Sequence, residues 1–189
     1  MKQAITPSSV VSLASRTLQL PAEQLNAFFP LLQSGVTVPA TVGCTLKSLL
    51  CDQFAIPADY VTGRITTIFL DNRPVDDLEH TIIHNGSRLT LSAAMPGLVG
   101  ATMRRGGFYA ALRQGISHVS ESGTAADESG TVRLKLFNLL LAELGPLLLA
   151  RGLVVEQGEL DELLHQIPGQ ADNPSACKGQ TVLTVRFNE

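Results

Sequence analysis

His80 and His84 stand four apart beside Asp76, Asp77 and Glu79, and on a helix such a pair of imidazoles could share a metal ion. The stretch reads instead as a loop and a short extended segment, where positions i and i+4 do not face each other, so surface charge is expected and no metal. Cys44 and Cys51 are seven apart, which on a helix puts both on one face, roughly 10 Å apart along the axis. That is too long for a disulfide, and two small apolar residues of a helix core are expected. Cys177 falls in a polar loop with Lys178 beside it to lower its pKa, but no histidine stands near in sequence to act as its base. It is expected to be an incidental loop cysteine. His118 and His165 have no partner in sequence. The run KGQT at Lys178 lacks the glycine spacing of a phosphate loop, and GxSxG, HExxH and paired CxxC are all missing. Local motifs therefore supply no catalytic residue and call for no cofactor, although a dispersed site leaves no such trace.

The elements that would position these groups are α+β in pattern. From Pro7 to Ser34 apolar residues recur at helical spacing with Pro21 between two segments, which predicts a helical lead-in over residues 1–34. VTVPATVG predicts an extended segment, with Pro39 placing it at an edge or a bulge. Thr45 is a plausible N-cap for a helix over Leu46 to Phe54, ended by Ile56-Pro57. Strand ITTIFL, the turn residues Asp71-Asn72-Arg73-Pro74, an acidic stretch to Glu79, the Asn85-Gly86 turn and strand SRLTLSA follow. Residues 35–100 thus read strand, helix, strand, turn, strand.

After Gly100 the composition changes. Residues 101–130 contain Arg104 and Arg105 beside Gly106 and Gly107 and then the polar run SESGTAADESG, expected as a linker. Residues 131–189 are expected to form a second small α+β module. VRLKLF alternates like a strand, yet LKLFNLLLAELGPLLLARG fits a buried helix broken near Gly145-Pro146, and the helix is favoured from about Leu136 to Arg151. A short helix from Glu159 to Gln166, a loop over 168–180 and the strand TVLTVRF complete the chain.

At 189 residues, 44% hydrophobic and 16% charged, the chain suits a packed soluble protein. A net charge of −3 offers no electrostatic footprint for nucleic acid. Lys135, Glu143, Arg151 and the Gly-Pro pair interrupt the Leu-rich run, so a membrane span is not expected. Lys2 is followed by residues unlike a secretory signal, and three widely spaced cysteines suit a reducing compartment, so a cytoplasmic location is expected.

TLKSLL, FLDNRPVDD, IIHNGSRLTL and the tail AAMPGLVG together make residues 36–100 resemble the β-grasp (ubiquitin-like) sulfur carriers, of the molybdopterin synthase small subunit and thiamine-biosynthesis type. The resemblance implies a β-grasp domain and, at a terminal glycine, adenylation by a partner enzyme followed by thiocarboxylate formation. The matching position is Gly100, with Gly106-Gly107 as a second possible carrier terminus, and either requires cleavage because the chain continues. Three functions stay open. The first is a non-enzymatic binding or scaffold protein, with Asp71, Asn72, Arg73, Asp76 and Asp77 as its interaction surface and the Leu-rich helix promoting homo-oligomers. The others are a cleaved sulfur-carrier precursor and an enzyme with a site between modules.

Overall fold

The computed structural model describes residues 13–113, 115–118, 128–170 and 179–188. In chain order it contains β1 (Ala14–Pro21), a 3-10 turn (Ala22–Phe28), α1 (Phe29–Ser34), β2 (Val36–Val42), α2 (Leu46–Ser48) running into a π-helical turn (Leu49–Gln53), and α3 (Ala58–Gly63). Next come β3 (Thr67–Leu70), β4 (Arg73–Pro74), β5 (Arg88–Ser92), α4 (Gly97–Met103) and a 3-10 segment (Phe108–Arg113). The last elements are β6 (Glu128–Phe137), α5 (Leu140–Arg151), β7 (Leu153–Glu156), α6 (Gln157–Gln166) and β8 (Gln180–Asn188).

The strands join in one mixed sheet of order β1-β8-β7-β2-β6-β5-β3-β4. Period-two burial fixes the face each strand presents: Val36, Val38, Ala40 and Val42 in β2, and Val132, Leu134 and Leu136 in β6, point inward between outward polar residues. β6 is the hub. It runs antiparallel to β2 from Val36↔Leu134 to Val42↔Glu128 and parallel to β5 from Arg88↔Arg133 to Ser92↔Phe137. By contrast β2 meets β7 only at Thr37↔Val154. The Thr131 N–H is taken by Asn85 and its carbonyl by the Gly86 N–H, so Thr131 and its partner Pro39 are a non-hydrogen-bonded pair. Pro39 therefore turns its donorless nitrogen to the side β7 has already left, which is how a proline sits in an internal strand without costing a ladder bond.

Several expectations change. The lead-in is not helical through Ser34: β1 occupies Ala14–Pro21, and Leu18 and Leu20 are buried two apart while Thr17 and Gln19 face out. Pairing with β8 over Ala14↔Thr181 to Pro21↔Asn188 overrides the helical spacing. Residues 131–137 are strand, and the helix starts at Leu140 rather than Leu136, after Asn138 takes a positive φ of 57°. Gly145-Pro146 does not break α5, whose Gly145 lies so close to Leu32 that a Cβ would stand 3.2 Å from its Cδ1. The 101–130 stretch is not a linker throughout, because α4 extends to Met103, Phe108–Arg113 is a 3-10 segment and β6 begins at Glu128. Residues 119–127 lie outside the described residues.

The expected boundary between a 35–100 unit and a 131–189 unit does not coincide with a break. β6 is sandwiched between strands of the first unit, and one contiguous core unites Val38, Leu50 and Ile83 with Leu134, Leu148 and Val185. Most of the Leu-rich run is absorbed in that core, with Leu140, Leu141, Leu144, Leu148 and Leu149 buried while Leu139 and Leu147 stay exposed. No helix of the described residues is long and apolar enough to cross a membrane.

Candidate functional site

The turn after β4, the π-helical turn and α3 face one another across a cleft of about 650 Å³, closed on its remaining side by residues 105–110. The helix expected at Leu46 to Phe54 forms one wall, and Thr45 caps it as its type predicts, its hydroxyl accepting from the Ser48 N–H at 3.2 Å. Lys47 and Cys51 project from it into the cleft. The second wall is α3, a helix that sequence periodicity missed because it is only six residues long and buries a single residue, Val61. The third is the acidic loop. Asp77 organises it by accepting from the N–H groups of Glu79 at 3.0 Å and His80 at 3.1 Å, with the His80 ring 2.9 Å from its second oxygen.

Residues 95–113 and 115–118 belong to a long excursion from the edge of β5. Its anchor is Arg113, only 3% exposed. The guanidinium donates to both Asp76 oxygens at 2.7 and 2.8 Å, to the Ser117 hydroxyl at 2.9 Å and, through Nε, to the Thr102 carbonyl at 2.7 Å. A bidentate Arg–carboxylate pair of this kind is both strong and directional. Arg105 is the second tie: Nη2 donates to the Val61 carbonyl at 2.7 Å and reaches that of Thr62 at 3.3 Å, satisfying carbonyls at the end of α3. Its main-chain N–H bonds the Thr66 carbonyl, and His118 N–H closes the excursion on Pro74.

The charges of the cleft are largely settled among its own groups. Lys47 bonds Glu79 at 2.6 Å, which pushes the lysine pKa up. Burial opposes ionisation of Asp77, but the hydrogen bonds from His80 and the Glu79 N–H hold its carboxyl below the usual range. Burial, helped by neighbouring Asp52, pushes the Cys51 thiol up, so it is not an activated nucleophile. Burial pushes the Arg105 guanidinium down. Among the described residues no group of three or more His, Cys, Asp or Glu side chains could hold a metal ion.

The structure separates the residues expected to form one surface. Asp71 and Asn72, with φ of 48° and 68°, make the two-residue turn of the β3–β4 hairpin, with Arg73 exposed beside it at the sheet edge. Asp76 and Asp77 line the cleft instead. Gly100 is buried inside α4, where a Cβ would lie 1.8 Å from the Met95 carbonyl oxygen. The tail AAMPGLVG is thus helical from Gly97 and not an extended approach to a terminus. Gly106 and Gly107 form the turn after α4, Gly106 with φ 62°. Cys44 lies outside the helix and holds Gln53 through a 3.2 Å Nε2–Sγ contact, so the two helix-core cysteines are not a shared face. Cys177 lies outside the described residues.

The same excursion carries exposed apolar side chains. Phe108 is 91% exposed, Leu112 75% and Leu98 71%, with Val99, Ile116 and Tyr109 also open, and the Phe108 and Tyr109 rings meet edge to face. Compared with family models, curated proteins and solved structures, the chain matches none. The geometry of the excursion and its cleft is therefore what bears on function. Sequence reasoning noticed Arg105 only for the glycines beside it and passed over Arg113, because the partner Asp76 is 37 positions away and nothing in FYAALR marks a buried cation.

Proposed function

We propose that the protein is a non-enzymatic binding module that engages a protein partner through the apolar face of residues 97–116. One observation carries the reading: large apolar side chains stand in solvent on a segment pinned by a buried arginine. Isolated exposed apolar residues are ordinary, but a group of them on one anchored excursion has the character of an interaction surface. A floppy loop would lose conformational entropy on binding, and the Arg113 anchor reduces that cost before the partner arrives.

The five strands β2-β6-β5-β3-β4 support reading this part of the sheet as a β-grasp. Parallel β5 and β6 occupy the middle, and the helical segment after β2 packs beneath. In this reading β6 fills the place of the strand that would ordinarily start such a domain, and the connection is permuted. The scaffold then holds the excursion where the fold continues beyond β5.

A photoreactive residue placed at position 108 in the native cell tests the proposal, with position 72 at the hairpin tip as the comparison. The expected result is a discrete protein adduct from position 108 that disappears when Leu112→Asp is added. Adducts from position 72 alone would move the interaction to the hairpin, and none from either site would remove the proposal's basis.

A further inference from the structure

The cleft beneath the excursion contains one charge that makes no direct ion pair among the described residues, with Asp76 acting on it only at longer range. Each acid on its wall has a committed partner: Asp76 is held bidentately by Arg113, Glu79 by Lys47, and Asp77 by His80 and two main-chain N–H groups. Arg105, among the described residues, forms no ion pair. One end of its guanidinium caps α3, but Nη1 is shut off from solvent with no hydrogen-bond acceptor. An arginine held this way costs free energy, because a buried donor to which water has no access and protein offers no acceptor loses its hydration without compensation. Around it lie Val61, Ala58, Leu78 and Ala110. The volume is that of a small-molecule site, and the lining sets this apolar patch beside five charged side chains, of which Lys47, Asp76, Asp77 and Glu79 already have partners.

We infer that this cleft is a binding site for a small organic anion, with one negatively charged head on Arg105 and an apolar body against Val61, Leu78 and Ala110. The head supplies the acceptor that Nη1 lacks, and because that atom is closed to water in this arrangement the head reaches it by displacing the neighbouring turn. It enters past Gly106, whose exposed turn is tied to Asp76 only by a long 3.4 Å bond from its N–H. Lys47 is a poorer anchor because Glu79 already neutralises it and it stands at the solvent edge. The site goes beyond partner binding and does not depend on it.

Titration of the full-length, isotope-labelled protein with hexanoate, its neutral counterpart hexanamide and inorganic phosphate, followed by amide NMR shifts, tests this. Hexanoate is expected to give saturable shifts at Cys51, Val61, Thr62 and Gly106, with hexanamide and phosphate each weaker by about tenfold or more, the scale of one charge-assisted hydrogen bond. Arg105→Gln is expected to abolish the preference for hexanoate over hexanamide. Arg105 also caps α3, so Ala110→Trp provides a second variant that fills the cleft and leaves those bonds in place; it too is expected to abolish hexanoate binding. Equal binding of hexanoate and hexanamide, equal binding of phosphate, persistence of binding in Ala110→Trp, or absence of saturable shifts with all three compounds would each overturn the inference.

Discussion

Two arginines near the cleft hold main-chain carbonyls, and they differ in what their removal should do. Arg113 is buried and bridges Asp76 to Thr102 and Ser117, so Arg113→Met should destabilise the excursion by roughly 2–3 kcal/mol, below the full cost of breaking a buried pair because the Asp76 side chain is 44% exposed. Hydrogen exchange should show faster exchange at 97–117 while the amides of Val132 and Val185 stay protected. A uniform loss across the sheet would mean that Arg113 holds the core and not the excursion. A second residue-scale effect depends on pH. Glu143 accepts from Arg64, whose Nε lies 2.9 Å away, and from the Tyr60 hydroxyl, and these bonds lower its pKa from 4.5 to about 2. A carboxyl depressed on folding contributes stability that is complete above the unfolded pKa and is lost as pH falls through the folded one. Wild type should therefore melt higher than Glu143→Gln above about pH 5, by a small margin because the pair is partly exposed, and the difference should vanish on acidification from about 4.5 to about 2. Melting curves across that range check it, and a difference that grows toward acid would contradict it.

At the scale of elements, alternation was legible wherever it ran over a complete strand. TVLTVRF and the Val-x-Val-x-Ala-x-Val of β2 showed their faces in sequence, as did the Thr45 cap and the Asp71-Asn72 turn. What was not legible followed from two physical causes. β1 has only Leu18 and Leu20 to mark an inward face, and its partner β8 is at the far end of the chain, so neighbouring apolar residues gave the stronger helical period. The cleft was unreadable because Cys51, Asp76 and Arg105 meet only after three elements fold together, and α3 between them is too short to show periodicity. α4 was misread for a different reason. AAMPGLVG looks like a tail, whereas Gly100 at its end is required by the Met95 carbonyl against which the helix packs. Gly100→Ala should accordingly cost roughly 1–3 kcal/mol, the range for overpacking, and release α4 in hydrogen exchange before the sheet opens. Unchanged stability would show that Met95 moves aside at no cost. Loss of function on changing Gly100 would thus report packing as readily as any chemistry at that position.

For the whole molecule, the position of β6 makes cooperativity the expected behaviour. Leu134 contacts the core from the strand that both β2 and β5 require, so Leu134→Ala should lower stability by about 3 kcal/mol in one transition, observed alike by circular dichroism and by amides of β3 and β8. Two separated transitions would mean that the single bridge at Thr37↔Val154 is a seam between independent units. A chain ending at residue 118 should fail to give dispersed amide resonances, because β2 and β5 would then be left without the strand that joins them. The same arrangement has a consequence during synthesis. β2 is finished at Val42, yet its antiparallel partner begins at Glu128, and β1 waits for β8 at Gln180. With elongation at roughly 5–20 residues per second, strand edges made early stand open for seconds while the ribosome works toward their neighbours. Vectorial folding from the amino end is closed to this topology. Completion of the sheet therefore waits for β8, and until then its early strands present the open edges at which pairing with other chains begins.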